Sequence, residues 1–291
     1  MAVTAAQVKE LRERTGAGMM ECKKALEASD GEMERAIEAL RTSGRAKADK
    51  KASRIAAEGV IIVMNENNRA VMVEVNSETD FVARDENFLA FTQAVAKAAL
   101  ASGVSDVQQF ASMPLMDGLT VDEARQALIA KVGENINIRR IALTRAATTT
   151  VGAYLHGNRI GVLVECEGGT PELAKDIAMH IAASKPLVIS PEEVPADIVA
   201  KEKDIYIAQA ATSGKPQDII EKMVGGKLKK FLDENCLLGQ PFVKDPDVLV
   251  SSLLSKHRAK VLAFTRFEVG EGIEKETEDF VEAVMAQVHG S

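Results

Sequence analysis

Aromatic residues are scarce in this sequence of 291 residues, which contains no Trp, 2 Tyr and 9 Phe. Proteins that bind single-stranded nucleic acids stack the bases on aromatic side chains, so the composition argues against that mode of binding. The formal net charge is -7, and a negative net charge repels phosphate backbones. Contact with nucleic acid would therefore need a local cluster of basic residues.

Cysteines and long apolar runs are also few. Cys22, Cys166 and Cys236 lie far apart and form no CxxC pair, which argues against a disulfide framework or structural zinc and favours a reducing compartment. No stretch reaches eighteen consecutive apolar residues, and the amino terminus has no basic region followed by an apolar block. We therefore expect a cytoplasmic protein that is neither secreted nor transmembrane.

Motifs for catalysis and cofactor binding are missing as well. Gly16-Ala17-Gly18 is followed by Glu21, where the dinucleotide-binding fingerprint requires a third glycine. Gly225-Gly226-Lys227 lacks the first glycine and the Ser or Thr of a phosphate-binding loop. The 4 His have no metal-ligand spacing. The sequence therefore predicts no cofactor, no metal and no covalent chemistry, but modules that present surfaces to other proteins.

Residues 1–44 have the pattern of three short helices. Thr4 and Gln7 form a capping-box pattern at the start of the first helix, and glycines end it. We expect Asp30 to cap the third helix and Gly44 to end it. The predicted helices cover 5–14, 19–29 and 32–43.

The apolar residues of these helices recur at the spacing of a small bundle. Two methionines stand side by side at the start of the second helix, and neighbouring helical residues point in different directions. We expect Met20 to fill the core and Met19 to lie at the surface, where a flexible thioether suits a binding face. The predicted core residues are Val8, Leu11, Met20, Leu26, Met33, Ile37 and Leu40.

The segment 45–54 follows the predicted bundle and is strongly basic. Its charged residues are Arg45, Lys47, Lys50, Lys51 and Arg54, against the single acid Asp49. Without aromatic neighbours, such a run is typical of a solvated linker. The alternative interpretation is an arm that binds nucleic acid through its positive charge.

From Gly59 onward the pattern changes to the alternation of β-strands. Apolar runs over 60–64 and 70–75 flank an Asn-rich turn, which predicts a β-hairpin. This part of the chain is completed by a helix over 85–100, a helix over 121–132 and a strand over 135–143.

A short segment lies between the hairpin and the first of these helices. We call 76–83 the presenting segment, and it reads Asn76-Ser77-Glu78-Thr79-Asp80-Phe81-Val82-Ala83. Thr79 and Asp80 are typical helix-starting residues that would cap the next turn, and Phe81 follows them directly. Because most phenylalanines are buried, Phe81 is either an anchor in the protein's own core or a wedge offered to a partner.

A weaker copy of this unit follows. A hairpin over 151–155 and 160–166, with His156 exposed in its turn, precedes a helix over 171–184. We interpret the two copies as related α+β subdomains, each a small antiparallel sheet with helices on one face. The second copy lacks the presenting segment, so whatever that segment does is done once.

Two helical patterns interrupt the second subdomain. They cover 197–212 and 215–231 and predict an antiparallel helical hairpin. Basic and acidic residues balance along it, so we do not expect it to bind nucleic acid. Its apolar stripe must be covered: either the two helices do so together, or a second copy of the chain covers it and forms a homodimer through 190–238.

The predicted fold class is α+β, and a helix over 248–257, a strand over 261–269 and a terminal helix over 275–289 complete the chain. The predicted domains are a three-helix domain with its basic linker (1–54), a first core subdomain (55–144), a second core subdomain (145–189 and 239–272), the helical-hairpin insertion (190–238) and a carboxy-terminal helical module (273–291).

Five motifs, found in order along nearly the whole chain, resemble those of the bacterial elongation factor Ts family. They lie at 9–20, 74–82, 133–140, 180–186 and 266–272. The resemblance implies a three-helix amino-terminal domain like the ubiquitin-associated fold, a two-part core, a coiled-coil dimerisation insert and a carboxy-terminal module.

The resemblance also implies a function, which is guanine nucleotide exchange on elongation factor Tu without covalent chemistry. It assigns Thr79, Asp80, Phe81 and Val82 to displacement of the partner's Mg²⁺. Further partner contacts are assigned to the tail after Glu271 and to Leu11, Met19, Met20 and His156. No direct contact with nucleic acid or membrane is expected.

Overall fold

The computed structural model describes residues 3–66, 68–116, 118–144, 149–211 and 216–274. Helices and small antiparallel sheets alternate along the chain, which confirms the predicted α+β class. The predicted terminal helix over 275–289 lies outside the described residues, as does most of the predicted module 273–291.

The helices and strands have the following bounds. The helices are α1 (Ala5–Thr15), α2 (Met19–Ala28), α3 (Met33–Lys51), α4 (Glu86–Ser102), α5 (Val107–Ala111), α6 (Val121–Val132), α7 (Pro171–Ser184), α8 (Ala196–Ala211), α9 (Gln217–Asn235) and α10 (Val250–Lys256). The strands are β1 (Glu58–Glu66), β2 (Arg69–Ser77), β3 (Pro114–Met116), β4 (Leu119–Thr120), β5 (Asn137–Leu143), β6 (Thr150–His156), β7 (Ile160–Glu167), β8 (Pro241–Phe242), β9 (Asp245–Leu249) and β10 (Lys260–Glu268). None of the described helices combines the length and the apolar character needed to cross a membrane.

The described chain divides into two compact units. The first contains residues within 3–62, 73–141 and 268–274, and the second contains residues within 63–72 and 142–267. The domain boundaries drawn from the sequence stay a prediction.

The first three helices form a small bundle. The capping box at the start of α1 is confirmed, because Thr4 N–H donates to Gln7 Oε1 at 3.0 Å and Gln7 N–H donates to Thr4 Oγ1 at 3.3 Å. The predicted cap of α3 is wrong: Asp30 has a φ of 54° and belongs to the preceding turn, while Glu32 occupies the N-cap without a side-chain hydrogen bond. The buried core of the bundle is Val8, Leu11, Cys22, Ala25, Leu26 and Ala36.

The predicted end of the third helix at Gly44 is also wrong, because α3 continues to Lys51. The basic segment 45–54 is therefore mostly the last turns of a helix and not a linker. Gly44 is buried where α3 packs against α6, and a Cβ built on it would lie 3.7 Å from Ala130 Cβ. The missing side chain thus serves close helix packing, whereas the sequence pattern suggested a helix stop.

We expect Gly44→Ala to raise the free energy of unfolding by about 0.5 to 1 kcal/mol, since alanine restricts the unfolded chain and 3.7 Å is an ordinary contact distance. Gly44→Leu is the matched control and should destabilise the protein, because a larger side chain has no room between α3 and α6. Urea unfolding of the three proteins measures both effects. Equal destabilisation by Ala and Leu would contradict the packing argument.

Two three-stranded sheets have the same strand pattern. Their orders are β1-β2-β5 and β6-β7-β10, so each has a hairpin whose second strand also pairs with a strand from later in the chain. Both predicted hairpins are confirmed, and β6 and β7 are antiparallel from the Thr150–Cys166 pair to the His156–Ile160 pair. The predicted helix over 248–257 starts later, at Val250, because the preceding residues belong to β9. The short elements α5, β3, β4, β8 and β9 have no counterpart in the sequence-based prediction.

In the second unit, α8 and α9 pack against each other as a helical hairpin. Gln240 holds the end of α9, since its Nε2 donates to the carbonyl of Glu234 at 2.7 Å. The buried His180 completes this arrangement: Val243 N–H donates to Nδ1 at 3.2 Å, so Nε2 carries the proton and donates to Gln240 Oε1 at 2.9 Å. Burial lowers the pKa of His180, which keeps this neutral tautomer.

Candidate functional site

The presenting segment connects the end of β2 to α4. Its last residues form a 3-10 turn at Val82–Arg84, where Val82 N–H donates to Thr79 Oγ1 at 3.4 Å. Asp85 caps α4 by accepting from the backbone N–H of Asn87 at 2.9 Å. Burial alone would raise the pKa of Asp85, but hydrogen bonds from Asn87 and Phe88 lower it below its ordinary value. Thr79 thus accepts a hydrogen bond from the first residue of the short turn, whereas Asp85, and neither Thr79 nor Asp80, caps α4.

The structure decides between the two interpretations of Phe81. Its side chain is 80% exposed, so it does not anchor the core. Phe88, on the first turn of α4, is fully buried and fills that role, and Ala83 packs the end of the segment against the protein. Phe81 therefore offers an uncovered aromatic ring to the solvent.

The neighbouring residues of the segment are polar and partly exposed. Asp80 accepts a hydrogen bond from Arg84 Nη2 at 2.9 Å, one helical turn away on the surface. Exposed ion pairs of this kind contribute little to stability. The Asp80–Arg84 pair therefore adds little to the stability of the segment.

Glu134, in the turn after α6, holds the start of the presenting segment. Glu134 Oε2 accepts from Glu78 N–H at 3.1 Å and from Thr79 N–H at 3.0 Å, and its Oε1 accepts from Thr79 Oγ1 at 2.6 Å. In return, Glu78 Oε1 accepts from Asn135 N–H at 2.6 Å. We call these four hydrogen bonds the Glu78–Glu134 clasp.

The end of α3 and the three residues that follow it support the clasp. Asn135 Nδ2 donates to the carbonyl of Arg54 at 2.8 Å, and Arg54 Nη1 lies 3.5 Å from Glu78 Oε2. Lys51 donates to the carbonyl of Gly133, and Lys47 pairs with Glu21. Three cations of the 45–54 segment therefore have partners within the protein, and the alternative of a nucleic-acid-binding arm stays a prediction.

Met19 and Met20 are both exposed, at 54% and 63%. The expectation that Met20 fills the core is wrong. On a helix with 3.6 residues per turn, Met20 lies roughly 160° from the buried Cys22 and so faces away from the bundle. The first turn of α2 thus presents two thioethers on the same compact unit as Phe81.

Leu11 requires a correction. The resemblance implies that it contacts a partner, but its exposure is 0% and it is enclosed by the bundle core. A side chain without surface cannot touch another protein, so Leu11 supports the packing of α1 and α2 from inside. The large apolar side chains that this region exposes are those of Met19 and Met20.

His156 belongs to the second unit, at the end of β6, and is exposed as predicted. Its Nδ1 lies 3.3 Å from the hydroxyl of Tyr154, and the two rings stack with centroids 6.3 Å apart. This contact orients the imidazole on the surface of the hairpin.

Glu78, Glu134 and Asn135 are the site residues that sequence reasoning missed. Two of the five motifs, 74–82 and 133–140, contain them. Their pairing was not visible because the clasp joins residues 55 to 57 positions apart. In the described part of the chain, no group of three or more His, Cys, Asp or Glu side chains is placed to hold a metal ion.

Comparison with known proteins gives one consistent family. A family model described as elongation factor TS matches residues 78–271. The chain is 60% identical to elongation factor Ts of Thioalkalivibrio sulfidiphilus, with 100% of both chains covered. It is 57% identical to the protein of that name from Francisella tularensis subsp. novicida over 99% of each chain, and 55% identical to that of Legionella pneumophila strain Paris over 98% of each.

Proposed function

Because the chain belongs to the elongation factor Ts family, and so to the factors of translation elongation, we propose that it is a guanine nucleotide exchange factor for elongation factor Tu. It binds the GDP-bound partner, displaces Mg²⁺ and promotes release of GDP, so that GTP can bind. The observation that carries the proposal is Phe81, whose ring is 80% exposed on a segment held by the Glu78–Glu134 clasp.

The physical basis of exchange is the loss of the partner's Mg²⁺. The ion neutralises the phosphates of GDP and is held in part by mobile switch loops. Phe81 inserts between the partner's elements and moves those loops, with Thr79, Asp80 and Val82 lining the same contact. No bond is made or broken in this chain, so its action requires no covalent catalysis.

The free energy gained by burying the Phe81 ring limits how far this residue alone can accelerate GDP release. Burying one aromatic ring is worth on the order of 2 kcal/mol, and a tenfold change in rate needs about 1.4 kcal/mol. The ring therefore accounts for roughly 30-fold, and larger accelerations need further contacts from Met19, Met20 and His156. Coupling is reciprocal: if this chain weakens GDP binding, GDP weakens the binding of this chain equally.

The modular organisation belongs to the same proposal. The bundle of α1 to α3 is the domain like the ubiquitin-associated fold, and the sheets β1-β2-β5 and β6-β7-β10 are the centres of two related core subdomains. Their shared strand pattern supports this. The proposed protein is cytoplasmic and makes no direct contact with nucleic acid or membrane.

The hairpin of α8 and α9 is the proposed coiled-coil insert. Only Ala210 and Val224 are buried among its described residues, whereas Ile205, Ile207 and Ile219 are exposed. Two helices that leave isoleucines uncovered support dimerisation through 190–238.

The direct test is release of fluorescent GDP from purified elongation factor Tu, with and without this chain and with excess unlabelled nucleotide. We expect accelerated release that depends on the concentration of the chain. Added salt separates the rival function, since binding to nucleic acid weakens steeply with salt and an interface centred on Phe and Met does not. Unchanged GDP release would refute the exchange function.

Leu11→Ala and Met20→Ala should affect different properties: Leu11→Ala the stability of the chain, and Met20→Ala its affinity for elongation factor Tu. Met20→Ala removes an exposed side chain, so we expect stability to change by less than about 0.5 kcal/mol and affinity for elongation factor Tu to fall about tenfold. Leu11→Ala opens a cavity in the bundle core and should cost at least about 2 kcal/mol of stability. Thermal unfolding and titration of the partner distinguish the variants, and a destabilised Met20→Ala protein would contradict the placement of this side chain.

A further inference from the structure

The presenting segment has few apolar contacts that could hold its shape. Phe81 is 80% exposed and Thr79 is exposed, while the buried residues Ser77 and Ala83 only fix its two ends. An exposed segment of this length loses conformational entropy when it is ordered, at a cost of about 1 to 2 kcal/mol per residue. Hydrogen bonds must therefore stabilise the conformation of this segment, as apolar packing does in the core of the protein.

Glu134 supplies those hydrogen bonds at the point where the segment leaves β2. One carboxylate accepts from two consecutive backbone N–H groups, those of Glu78 and Thr79, and from the Thr79 hydroxyl. Hydrogen bonds to an ionised acceptor are stronger than those between neutral groups. The direction of the chain just before Phe81 is thereby set by a residue from another part of the sequence.

The turn after α6 that carries Glu134 is itself held in place. α6 ends at Gly133, whose φ of 83° turns the chain sharply. The buried Asn135 then donates its backbone N–H to Glu78 and its side-chain amide to the carbonyl of Arg54. Glu134 therefore binds the segment that carries Glu78, and Glu78 binds the turn that carries Glu134. Arg54, just after α3, binds the same turn.

We propose that Glu134 is a positioning residue for nucleotide exchange: its carboxylate keeps the presenting segment in the conformation that offers Phe81 to the partner. This inference rests on the proposed function. Glu134 acts through its hydrogen bonds with the backbone of Glu78 and with the backbone and hydroxyl of Thr79. A segment ordered before binding does not lose that entropy in the complex, which is the benefit of preorganisation.

The role predicts a specific kinetic pattern. The complex also forms through surfaces outside the segment, so loosening the segment lowers the fraction of complexes in which Phe81 is inserted. We expect Glu134→Ala to lower the maximal rate of GDP release at saturating chain about tenfold, with little change in the half-saturating concentration. A merely destabilised protein would instead raise the half-saturating concentration and reach the same maximal rate.

The variants for this experiment are Glu134→Ala, Glu134→Gln and Thr79→Val, with Glu38→Gln as a control at an exposed glutamate of α3. Glu134→Gln keeps one carbonyl acceptor and should fall between wild type and Glu134→Ala. Thr79→Val removes the hydroxyl that donates to Glu134 and accepts from Val82 N–H. The rate lost in Thr79→Val and the rate lost in Glu134→Ala should not add fully in the double variant, because both variants remove the contact between this hydroxyl and the carboxylate.

Amide hydrogen exchange gives a readout that is independent of the partner. The N–H groups of Glu78 and Thr79 should exchange faster in Glu134→Ala and at the wild-type rate in Glu38→Gln. If wild type accelerates GDP release and Glu134→Ala reaches the same maximal rate, the positioning role is refuted and the exchange function stands. If wild type does not accelerate release, the function itself fails; unchanged exchange of the two amides would refute the clasp in either case.

Discussion

Replacing Phe81 with alanine is expected to lower the acceleration of GDP release from elongation factor Tu by roughly 30-fold and to leave the stability of the chain almost unchanged. The ring is 80% exposed, so the free protein loses little when it is removed. In the complex the same ring would be buried, and its loss costs on the order of 2 kcal/mol. Stopped-flow release of fluorescent GDP and urea unfolding measure the two effects.

Phe88→Ala is the matched control, since it removes the same ring seven positions further along the chain. Phe88 is fully buried in the first turn of α4, so its removal should cost about 3 to 5 kcal/mol of stability. Phe81→Ala and Phe88→Ala should therefore separate function from folding. Full exchange activity in Phe81→Ala would remove the main support for the proposed mechanism, as would a loss of stability comparable to that of Phe88→Ala.

Replacing Glu74 with alanine is expected to lower the free energy of unfolding by about 3 kcal/mol or more. Glu74, in β2, has a fully buried side chain that accepts from Gly270 N–H at 2.9 Å, from Asn76 Nδ2 at 3.1 Å and from Arg139 Nη1 at 3.1 Å, and it also pairs with Arg140. Its removal would take away the buried carboxylate that pairs with both Arg139 and Arg140. Denaturant unfolding measures the loss, and Glu66→Ala, at an exposed glutamate of β1, should change stability by less than about 0.5 kcal/mol.

The same carboxylate predicts a dependence on pH. Burial alone would raise the pKa of Glu74, but the hydrogen bonds from Gly270, Arg140 and Asn76 outweigh it and hold the pKa below its ordinary value of 4.5. Since the folded protein has the lower pKa, the contribution of Glu74 to stability is complete above about pH 4.5 and is lost as the pH falls below that value. The difference in stability between wild type and Glu74→Ala should therefore shrink in acid. A difference that stays constant from pH 7 to pH 3.5 would contradict the assignment.

Glu74 also shows how the carboxy-terminal segment is held. Arg139 donates to the carbonyl of Glu271, and Arg140 donates to the carbonyl of Glu268 at 3.0 Å. Gly270 has a φ of 73°, and a Cβ there would lie 2.2 Å from the carbonyl oxygen of Ala57. Only glycine fits at this position. The buried charge thus fixes the end of the described chain against the strand that leads into the presenting segment.

Helices and strands were predictable where local periodicity was strong. The two hairpins, α1, α6 and α7 follow directly from alternating or helical spacing and from capping residues. The errors occurred where a residue type has two uses. Gly44 was interpreted as a helix stop, although α3 needs it for close packing against α6, and Met20 was placed in the core, although the core of α2 is made by Cys22, Ala25 and Leu26.

The candidate site was predictable in part. The sequence predicts Met19 and His156 as surface residues, which the structure confirms, and it leaves Phe81 as either a core anchor or an exposed wedge. Sequence position cannot decide which phenylalanine of the pair Phe81 and Phe88 is buried, since both follow helix-starting residues. Glu134 was not identified, because a lone glutamate in a turn has no local signature of its partners.

The amino-acid sequence by itself determined the α+β class, the order of most elements and the membership in the family, because these depend on residues near each other in the chain and on contiguous motifs. The tertiary structure alone decided that Phe81 faces solvent, that Leu11 does not, and that Glu134 holds the presenting segment. Exposure and long-range hydrogen bonds depend on which distant segments come to lie beside a residue, and α3 and the turn after α6 approach the end of β2 only in the folded chain.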